Sequence, residues 1–374
     1  MILGAIAALL VAVWPSARDA AYTAALIAHL ARPLRAGPLH RWTGTPAHES
    51  VAIPSPGRPL AATLFRPAGT SRGAGLILVH GLNPRGKDDP LLVWVADLFA
   101  RSGFVVLMPD FTGFRALAPR AGDVDEIVAS ARYLSERVAG GRPDNVGLVA
   151  FSFGAGPTVV AAADPGARDC VRFVVSFGGY YDLVNVINFA TTGWYEYREH
   201  RGQVTPLHWL RWIFLKFNLD LLSDPLDRAI LGEIASREQE PPDPRAADLT
   251  PEGRAVYALV LNRDPARVPE LLKQVDSKVL DQIARLSPSR AMKDLRTTLF
   301  IAHSNPDPSI PFTESLHLAE AAADPARVHL LLVGGFRHVQ PQFPPLTWSS
   351  FWNFYLDEGR RLFVWVYRLV RAGA

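Results

Sequence analysis

One serine in this chain is placed where its hydroxyl could act as a nucleophile. Ser152 follows the short apolar run 146–150 and precedes Phe153 and the small residues 154–156. A serine hydroxyl attacks a carbonyl group only when the backbone holds it clear of the chain and beside a base. A sharp turn from a strand into a helix presents the hydroxyl in this way. The pattern favours a nucleophilic serine over the competing interpretation, an ordinary turn between a strand and a helix.

This segment resembles the G-x-S-x-G nucleophile elbow of the α/β-hydrolase superfamily. Ala150 stands in place of the first glycine, and this departure is small because alanine adds only one methyl group. The resemblance implies that the acid and the histidine follow the serine in that order, each on a loop after a late strand. It covers about residues 45–345 and is closest to the branch of esterases, dienelactone hydrolases and serine peptidases.

Two later segments match the implied order. The apolar run 297–302 predicts a strand that leads into a proline-rich loop containing Asp307. The run 328–333 predicts another strand, and His338 follows it. The two loops resemble the acid loop and the histidine loop of the superfamily. The resemblance therefore implies a Ser152–His338–Asp307 triad, in which the imidazole accepts the serine proton and the carboxylate orients the imidazole.

A second carboxylate competes for the acid position. Asp182 comes after the predicted strand 171–177, another position from which a carboxylate reaches the histidine in some related folds. Asp182 is therefore the alternate acid. Asp307 is preferred because its strand, its loop and its distance before His338 all match the superfamily pattern, and because prolines stiffen its loop.

The segment after another predicted strand, 74–79, resembles the His-Gly oxyanion loop of the superfamily. His80 and Gly81 begin this loop. The resemblance implies that the backbone N–H groups of Leu82 and Phe153 hold the oxyanion of a tetrahedral intermediate, a role that suits donors fixed before the charge develops. Gly81 would permit close backbone approach. His80 is interpreted as a residue that shapes the loop and transfers no proton.

Composition limits the other classes of function. The chain has 374 residues, of which 49% are hydrophobic and 20% charged, and its net charge is only +3. Basic and acidic residues are interspersed, so no nucleic-acid partner is predicted. The ten histidines and the one cysteine, Cys170, do not have metal-ligand spacing, so neither a metal site nor a cofactor is predicted. A lone cysteine also excludes an internal disulfide.

Alternating apolar and amphipathic segments predict the fold. We expect a doubly wound, mostly parallel eight-stranded sheet with helices on both faces, and the resemblance implies that it is the α/β-hydrolase fold. Four helices are predicted at 90–102, 122–138, 153–163 and 312–323. The predicted strands are 49–53, 60–65, 74–79, 104–108, 145–150, 171–177, 297–302 and 328–333.

The exception to this alternation is a long stretch without a strand pattern. Residues 181–290 are predicted to form a helical cap inserted into the hydrolase core, since members of the superfamily commonly carry a cap at this position. The core would then comprise 41–180 and 291–374, preceded by an apolar helical segment, 1–40. Eight aromatic or histidine side chains of the insertion either form its own core or line a substrate pocket: Trp194, Tyr195, Tyr197, His208, Trp209, Trp212, Phe214 and Phe217.

Both chain ends are apolar, and two interpretations stay open for them. The uncharged run 2–14 is shorter than the roughly 20 residues of a membrane span and lacks the basic start and cleavage site of a signal peptide. The aromatic segment 348–355 is expected to pack on the sheet, whereas 362–367, with its flanking arginines, is expected at a membrane surface or a dimer interface. Alternatively, the terminal helices pack on each other. The chain is of bacterial type and is expected to be cytoplasmic or membrane-associated.

Together these patterns predict a serine hydrolase. The expected reaction is cleavage of a small-molecule carboxylic ester with an apolar group, through an acyl-enzyme intermediate. Two alternatives remain. An acyltransferase would use the same triad and pass the acyl group to an alcohol or thiol. A non-catalytic binding protein on the hydrolase fold is the other, although such proteins usually lose part of the triad. The oligomeric state is not predicted.

Overall fold

An eight-stranded sheet forms the centre of the protein, whose computed structural model describes residues 2–138, 143–216, 218–238 and 243–373, with 2–15 described by their backbone alone. The strand order is β1-β2-β4-β3-β5-β6-β9-β10. Each predicted strand is confirmed to within two residues. The strands are β1 Ala47–Ile53, β2 Leu60–Arg66, β3 Gly75–Val79, β4 Val105–Pro109, β5 Val146–Phe151, β6 Val171–Phe177, β9 Thr298–Ser304 and β10 Val328–Val333.

The sheet is mostly parallel, as the sequence predicts. β1 and β2 pair with each other antiparallel, β2 also pairs antiparallel with β4, and the remaining pairs are parallel. Parallel strands need helical crossovers, which cover both faces of a sheet. For this reason β3 and β4 are buried along their whole length and consist of continuous apolar runs. The carboxyl ends of these parallel strands lie at one edge of the sheet, where their loops meet.

Helices cover the two faces of the sheet and make two apolar cores. One core lies under α1, α3 and α15, and the other lies under α5, α6 and α13. The four predicted core helices are confirmed, three of them shorter than predicted by two to four residues. The helices outside the insertion are α1 Ile2–Leu30, α2 Pro38–Trp42, α3 Pro90–Arg101, α4 Thr112–Arg115, α5 Ala121–Ser135, α6 Ala155–Ala163, α13 Thr313–Glu320, α14 Trp348–Ser350 and α15 Arg360–Ala372, with a π-helix at Phe351–Gly359 between the last two.

The described parts of the terminal helices pack on each other. Leu362, Trp365 and Leu369 of α15 are buried in the same core as Ala25 and Leu26 of α1. Within α1, Asp19 pairs with Arg72 at 2.9 Å, and both side chains are almost fully buried. In the described part of the chain, none of the helices combines the length and the apolar character that a membrane span requires.

The roles expected for the two halves of the C-terminal segment are reversed. The half predicted to pack on the sheet carries exposed Trp348, Phe351 and Trp352. The half expected at a surface forms α15 and buries its apolar stripe against the sheet. The reason is periodicity, because Leu362, Trp365, Val366 and Leu369 fall on one helical face.

Residues 181–290, called the insert below, contribute no strand to the central sheet. The predicted helices are present, but the expectation of no strands is wrong, because β7 and β8 form an antiparallel hairpin. Their alternation was missed because both strands carry charged residues on a partly exposed ribbon. The elements of the insert are α7 Leu183–Thr192, β7 Trp194–Tyr197, β8 His200–Gln203, α8 Trp209–Lys216, α9 Pro225–Arg237, α10 Pro251–Leu261, α11 Val268–Leu272 and α12 Ser277–Leu286.

The aromatic side chains of the insert do not share one role. Trp212 is buried in the insert's own core together with Leu231 and Tyr257. Trp209 is exposed. Tyr195 and Tyr197 of the hairpin pack against Phe312 and His317 of the following core segment. Phe217 lies outside the described residues. Phe214 packs against Phe153 of the elbow, and its position is described below.

A buried carboxylate ties α13 to the start of the insert. Glu314 accepts hydrogen bonds from the backbone N–H groups of Tyr181 and Asp182 at 3.0 and 2.9 Å. It also accepts one from the Asn185 side chain at 2.9 Å. Burial raises the pKa of Glu314 from 4.5 to about 7, although these three hydrogen bonds oppose the change.

This carboxyl should make stability depend on pH. The folded protein binds the Glu314 proton more tightly than the unfolded chain does, so the free energy of unfolding should fall as the pH rises between 4.5 and about 7, by up to about 3 kcal/mol. Glu314→Gln keeps an acceptor oxygen for the two backbone donors and cannot ionise. Urea unfolding at pH 5 and pH 8 should show a smaller fall in the variant than in the wild type. An equal fall in both proteins would contradict the assignment.

Candidate active site

Ser152 lies at a strained turn between β5 and α6. Its φ is +55°, in the left-handed region that side chains other than glycine seldom adopt and that costs roughly 1–3 kcal/mol. One short 3₁₀ turn, Ser152–Gly154, separates the strand from the helix. The turn is therefore as sharp as the sequence motif predicts. The surrounding packing must hold it in place.

Small residues provide the space for that packing. A Cβ at Gly154 would clash with the carbonyl oxygen of His80, and a Cβ at Gly156 would clash with the ring of Tyr180. Ala150, the departure from the motif, is fully buried and pairs with Val79 of β3 and Ser176 of β6. A methyl group is accommodated at this position, whereas positions 154 and 156 tolerate no side chain without movement of their neighbours.

His338 connects the serine to a buried carboxylate. It lies between two short paired strands, β11 Phe336–Arg337 and β12 Gln340–Pro341. Its Nε2 is 2.6 Å from Ser152 Oγ, and its Nδ1 is 2.7 Å from Asp307 Oδ2. An ionised carboxylate only accepts hydrogen bonds, so Nδ1–H must donate to Asp307. In the neutral ring, Nε2 is then free to accept the serine proton.

Asp307 is held as a carboxylate by several donors. Its Oδ1 accepts from the backbone N–H groups of Ser309 and Ile310 at 2.8 and 3.2 Å, and its Oδ2 accepts from the Ser304 hydroxyl at 3.0 Å. Burial by itself raises the pKa of this carboxyl, but hydrogen bonds from His303 and His338 outweigh burial and hold the pKa well below its usual range. The side chain is therefore negatively charged at neutral pH.

The alternate acid has another partner. Asp182 is the N-cap residue of α7, where its side chain accepts from the backbone N–H of Val184 at 2.9 Å. Its second oxygen accepts from the Ser289 hydroxyl at 2.7 Å. The carboxyl within hydrogen-bond distance of His338 is that of Asp307.

The loop after β3 passes directly over the serine. A Cβ at Gly81 would lie 2.8 Å from Ser152 Cβ and 3.0 Å from the Phe151 carbonyl oxygen, so this close approach requires glycine. His80 is buried, its Nδ1 lies 2.8 Å from the Gly81 carbonyl oxygen, and burial lowers its pKa. Its ring packs against Phe111 and Phe114. Leu82 follows in the loop and is partly buried against the core that contains Phe153.

Two apolar cavities flank the elbow. One, of about 190 Å³, adjoins His80 and Gly81. Its apolar lining includes Leu91, Trp94, Phe151, Phe177, Phe336 and Val339. The other, of about 110 Å³, lies inside the insert behind Phe214, whose ring packs edge-on against Phe153 with 5.1 Å between centroids.

Solved structures with the same arrangement of strands and helices support the fold assignment. Acylaminoacyl peptidase in complex with Z-Gly-Gly-Phe-chloromethyl ketone aligns with 88% of this chain and 41% of its own, at 14% identity and a TM-score of 0.50. Acylaminoacyl peptidase from Pyrococcus horikoshii aligns with 86% of this chain and 41% of its own, at 13% identity and a TM-score of 0.50. This chain has the α/β-hydrolase fold.

The aligned region covers less than half of each acylaminoacyl peptidase chain. The chain spans about two fifths of the length of the acylaminoacyl peptidases it matches. Dienelactone hydrolase from Anabaena variabilis aligns with 88% of this chain and 97% of its own, at 13% identity and a TM-score of 0.45. No protein-family model matches the sequence, and no curated protein matches it either.

Within this α/β-hydrolase fold, one residue near the acid was not recognised from the sequence. His303 directly follows the predicted strand 297–302 and has no role in the sequence analysis, yet its ring is fully buried and its Nε2 lies 3.4 Å from Asp307 Oδ2. An ionisable residue at the end of a buried strand, four positions before the predicted acid, was the available signal. Its role depends on which atoms surround the ring, and spacing alone does not reveal them.

The packing of the elbow can be tested with a matched pair of glycines. Gly156→Ala forces its methyl group into the Tyr180 ring and should lower the free energy of unfolding by about 1–3 kcal/mol. Gly122→Ala, at an exposed position in the first turn of α5, meets no atom within 4 Å and should be neutral or stabilising by up to about 1 kcal/mol. Chemical unfolding of both variants makes the comparison. Equal effects would show that the elbow is not tightly packed.

Proposed function

We propose that this protein is a serine hydrolase that cleaves a carboxylic ester through an acyl-enzyme intermediate. The main support is the hydrogen-bonded row Ser152 Oγ, His338 and Asp307 at a sharply turned elbow. A hydroxyl, an imidazole and a buried carboxylate in this order can generate a nucleophile at neutral pH without a cofactor.

The chemistry follows from the positions of the protons. His338 Nε2 takes the Ser152 proton as Oγ attacks the ester carbonyl, and Asp307 stabilises the resulting imidazolium through Nδ1–H. The backbone N–H groups of Leu82 and Phe153 stabilise the oxyanion. His338 then gives its proton to the leaving alkoxide, and the acyl group stays on Ser152. Water activated by His338 attacks this acyl-enzyme and releases the acid, which regenerates the serine.

The neighbouring cavity suggests the kind of substrate. The cavity of about 190 Å³ is lined by Gly81 and by Phe151, the residue before Ser152, and has mainly apolar walls, so it favours an uncharged ester with a small apolar group. The insert closes the other side of the elbow through Phe214 and Phe153. An insert at this position would exclude water from the reaction, which is the usual role of a cap.

A fluorophosphonate probe tests the nucleophile directly. The wild type should be labelled at Ser152 and should hydrolyse p-nitrophenyl acetate, whereas Ser152→Ala should do neither. Absence of labelling in the folded wild type would support the alternative of a binding protein.

Mass analysis of the products with added alcohol or thiol distinguishes hydrolysis from acyl transfer, since only an acyltransferase would give mainly the new ester or thioester.

The choice of acid can be tested with two isosteric substitutions. Asp307→Asn keeps the shape of the side chain but removes the charge, and it should lower kcat for p-nitrophenyl acetate by about 10³–10⁴-fold. Asp182→Asn is a matched control, because asparagine caps a helix nearly as well as aspartate. It should leave kcat within a few-fold of the wild type. If Asp182→Asn is the more damaging change, Asp307 is not the acid.

A further inference from the structure

A second histidine lies behind the carboxylate. The ring of His303, the next-to-last residue of β9, is completely buried. Its Nε2 is 3.0 Å from the Ile310 carbonyl oxygen and 3.4 Å from Asp307 Oδ2. Its Nδ1 is 2.6 Å from the Ser315 hydroxyl, near the start of α13. The ring thus bridges the end of a strand, the acid loop and a helix.

These contacts determine the direction of each hydrogen bond. Nε2 faces a carbonyl and a carboxylate, which both only accept, so Nε2 must carry a hydrogen. In the neutral ring, Nδ1 is then an acceptor for the Ser315 hydroxyl. The two acceptors therefore select the tautomer that points an N–H at the acid loop, and the Ser315 hydroxyl, as the donor to Nδ1, holds the ring in that orientation.

The ring of His303 is joined to Asp307 through a hydrogen-bonded residue of the acid loop, Ile310. Ile310 donates its N–H to Asp307 Oδ1, and its carbonyl oxygen accepts from His303. An apolar side chain at position 303 could fill the same space, but it would leave the buried Ile310 carbonyl without this donor. The imidazole of His303 therefore fills space in the core and also donates a hydrogen bond to the acid loop.

We propose that His303 is a positioning residue for the acid, which holds the Asp307 carboxylate and its loop so that Oδ2 faces His338 Nδ1. This inference rests on the proposed function, in which Asp307 orients His338. His303 contacts Asp307, Ile310 and Ser315, and it therefore acts on His338 through the Asp307 carboxylate. Its loss should therefore affect the rate of the chemical step and leave substrate binding nearly unchanged.

The test compares two substitutions at one position. His303→Leu fills the space without a donor, whereas His303→Gln places an amide N–H where Nε2 lies. His303→Leu should lower kcat for p-nitrophenyl acetate by about 10²-fold, the usual scale for displacement of a catalytic group by 1 Å, with KM within about twofold. His303→Gln should recover most of this loss. Ser315→Ala, which removes the donor to Nδ1 but keeps the two acceptors at Nε2, should give a smaller decrease in kcat.

A measurement that needs no turnover separates this inference from the proposed function. The His338 Nδ1 proton, shared with Asp307, should give a far-downfield ¹H NMR signal in the wild type. The signal should shift or broaden in His303→Leu and return toward the wild-type position in His303→Gln, even if no ester is hydrolysed. An unchanged signal, or a full kcat in folded His303→Leu, would overturn the positioning role and leave the triad itself unaffected.

Discussion

The arrangement of the site depends on one buried negative charge. Asp307 is almost fully buried, and removing a carboxylate from water is unfavourable unless donors replace the water. The acid loop supplies two backbone N–H groups and β9 supplies the Ser304 hydroxyl. Imidazole N–H groups approach from two directions, one from His338 and one from His303. Because each donor has a fixed direction, the carboxylate has only one satisfactory orientation, and this orientation aims it at His338.

The proposed nucleophile, Ser152, is positioned by packing. The positive φ of Ser152 is unfavourable locally, so the fold around it must enforce it. Gly81 lets the loop after β3 lie against the serine, and Gly156 lets α6 lie against Tyr180. Tyr180 is itself fixed, since its hydroxyl donates to the Leu286 carbonyl oxygen at the end of the insert. The elbow is thus held between the sheet edge and the insert.

Helix α13 links the acid to the insert. Two adjacent residues in its first turn contact different parts of the protein. Glu314 accepts hydrogen bonds from the backbone at the start of the insert. Ser315 contacts His303 beside the acid loop. α13 therefore connects the start of the insert to the histidine beside the acid loop. The hairpin of the insert packs on the same helix through Tyr197 and His317, which adds a second attachment.

Local sequence patterns determined most of the fold and predicted the residues of the candidate site. The eight core strands and four core helices follow from apolar periodicity, which depends only on neighbours along the chain. Ser152, Asp307 and His338 were found from motifs that each follow a strand. The tertiary structure decided the remaining questions. Asp182 caps the N-terminus of α7, whereas Asp307 contacts His338. The helix α15 is buried, and side chains of 348–355 are exposed. His303 lies beside the Asp307 carboxylate. These outcomes depend on which side chains meet across distant segments, and a pattern of near neighbours carries no information about such encounters.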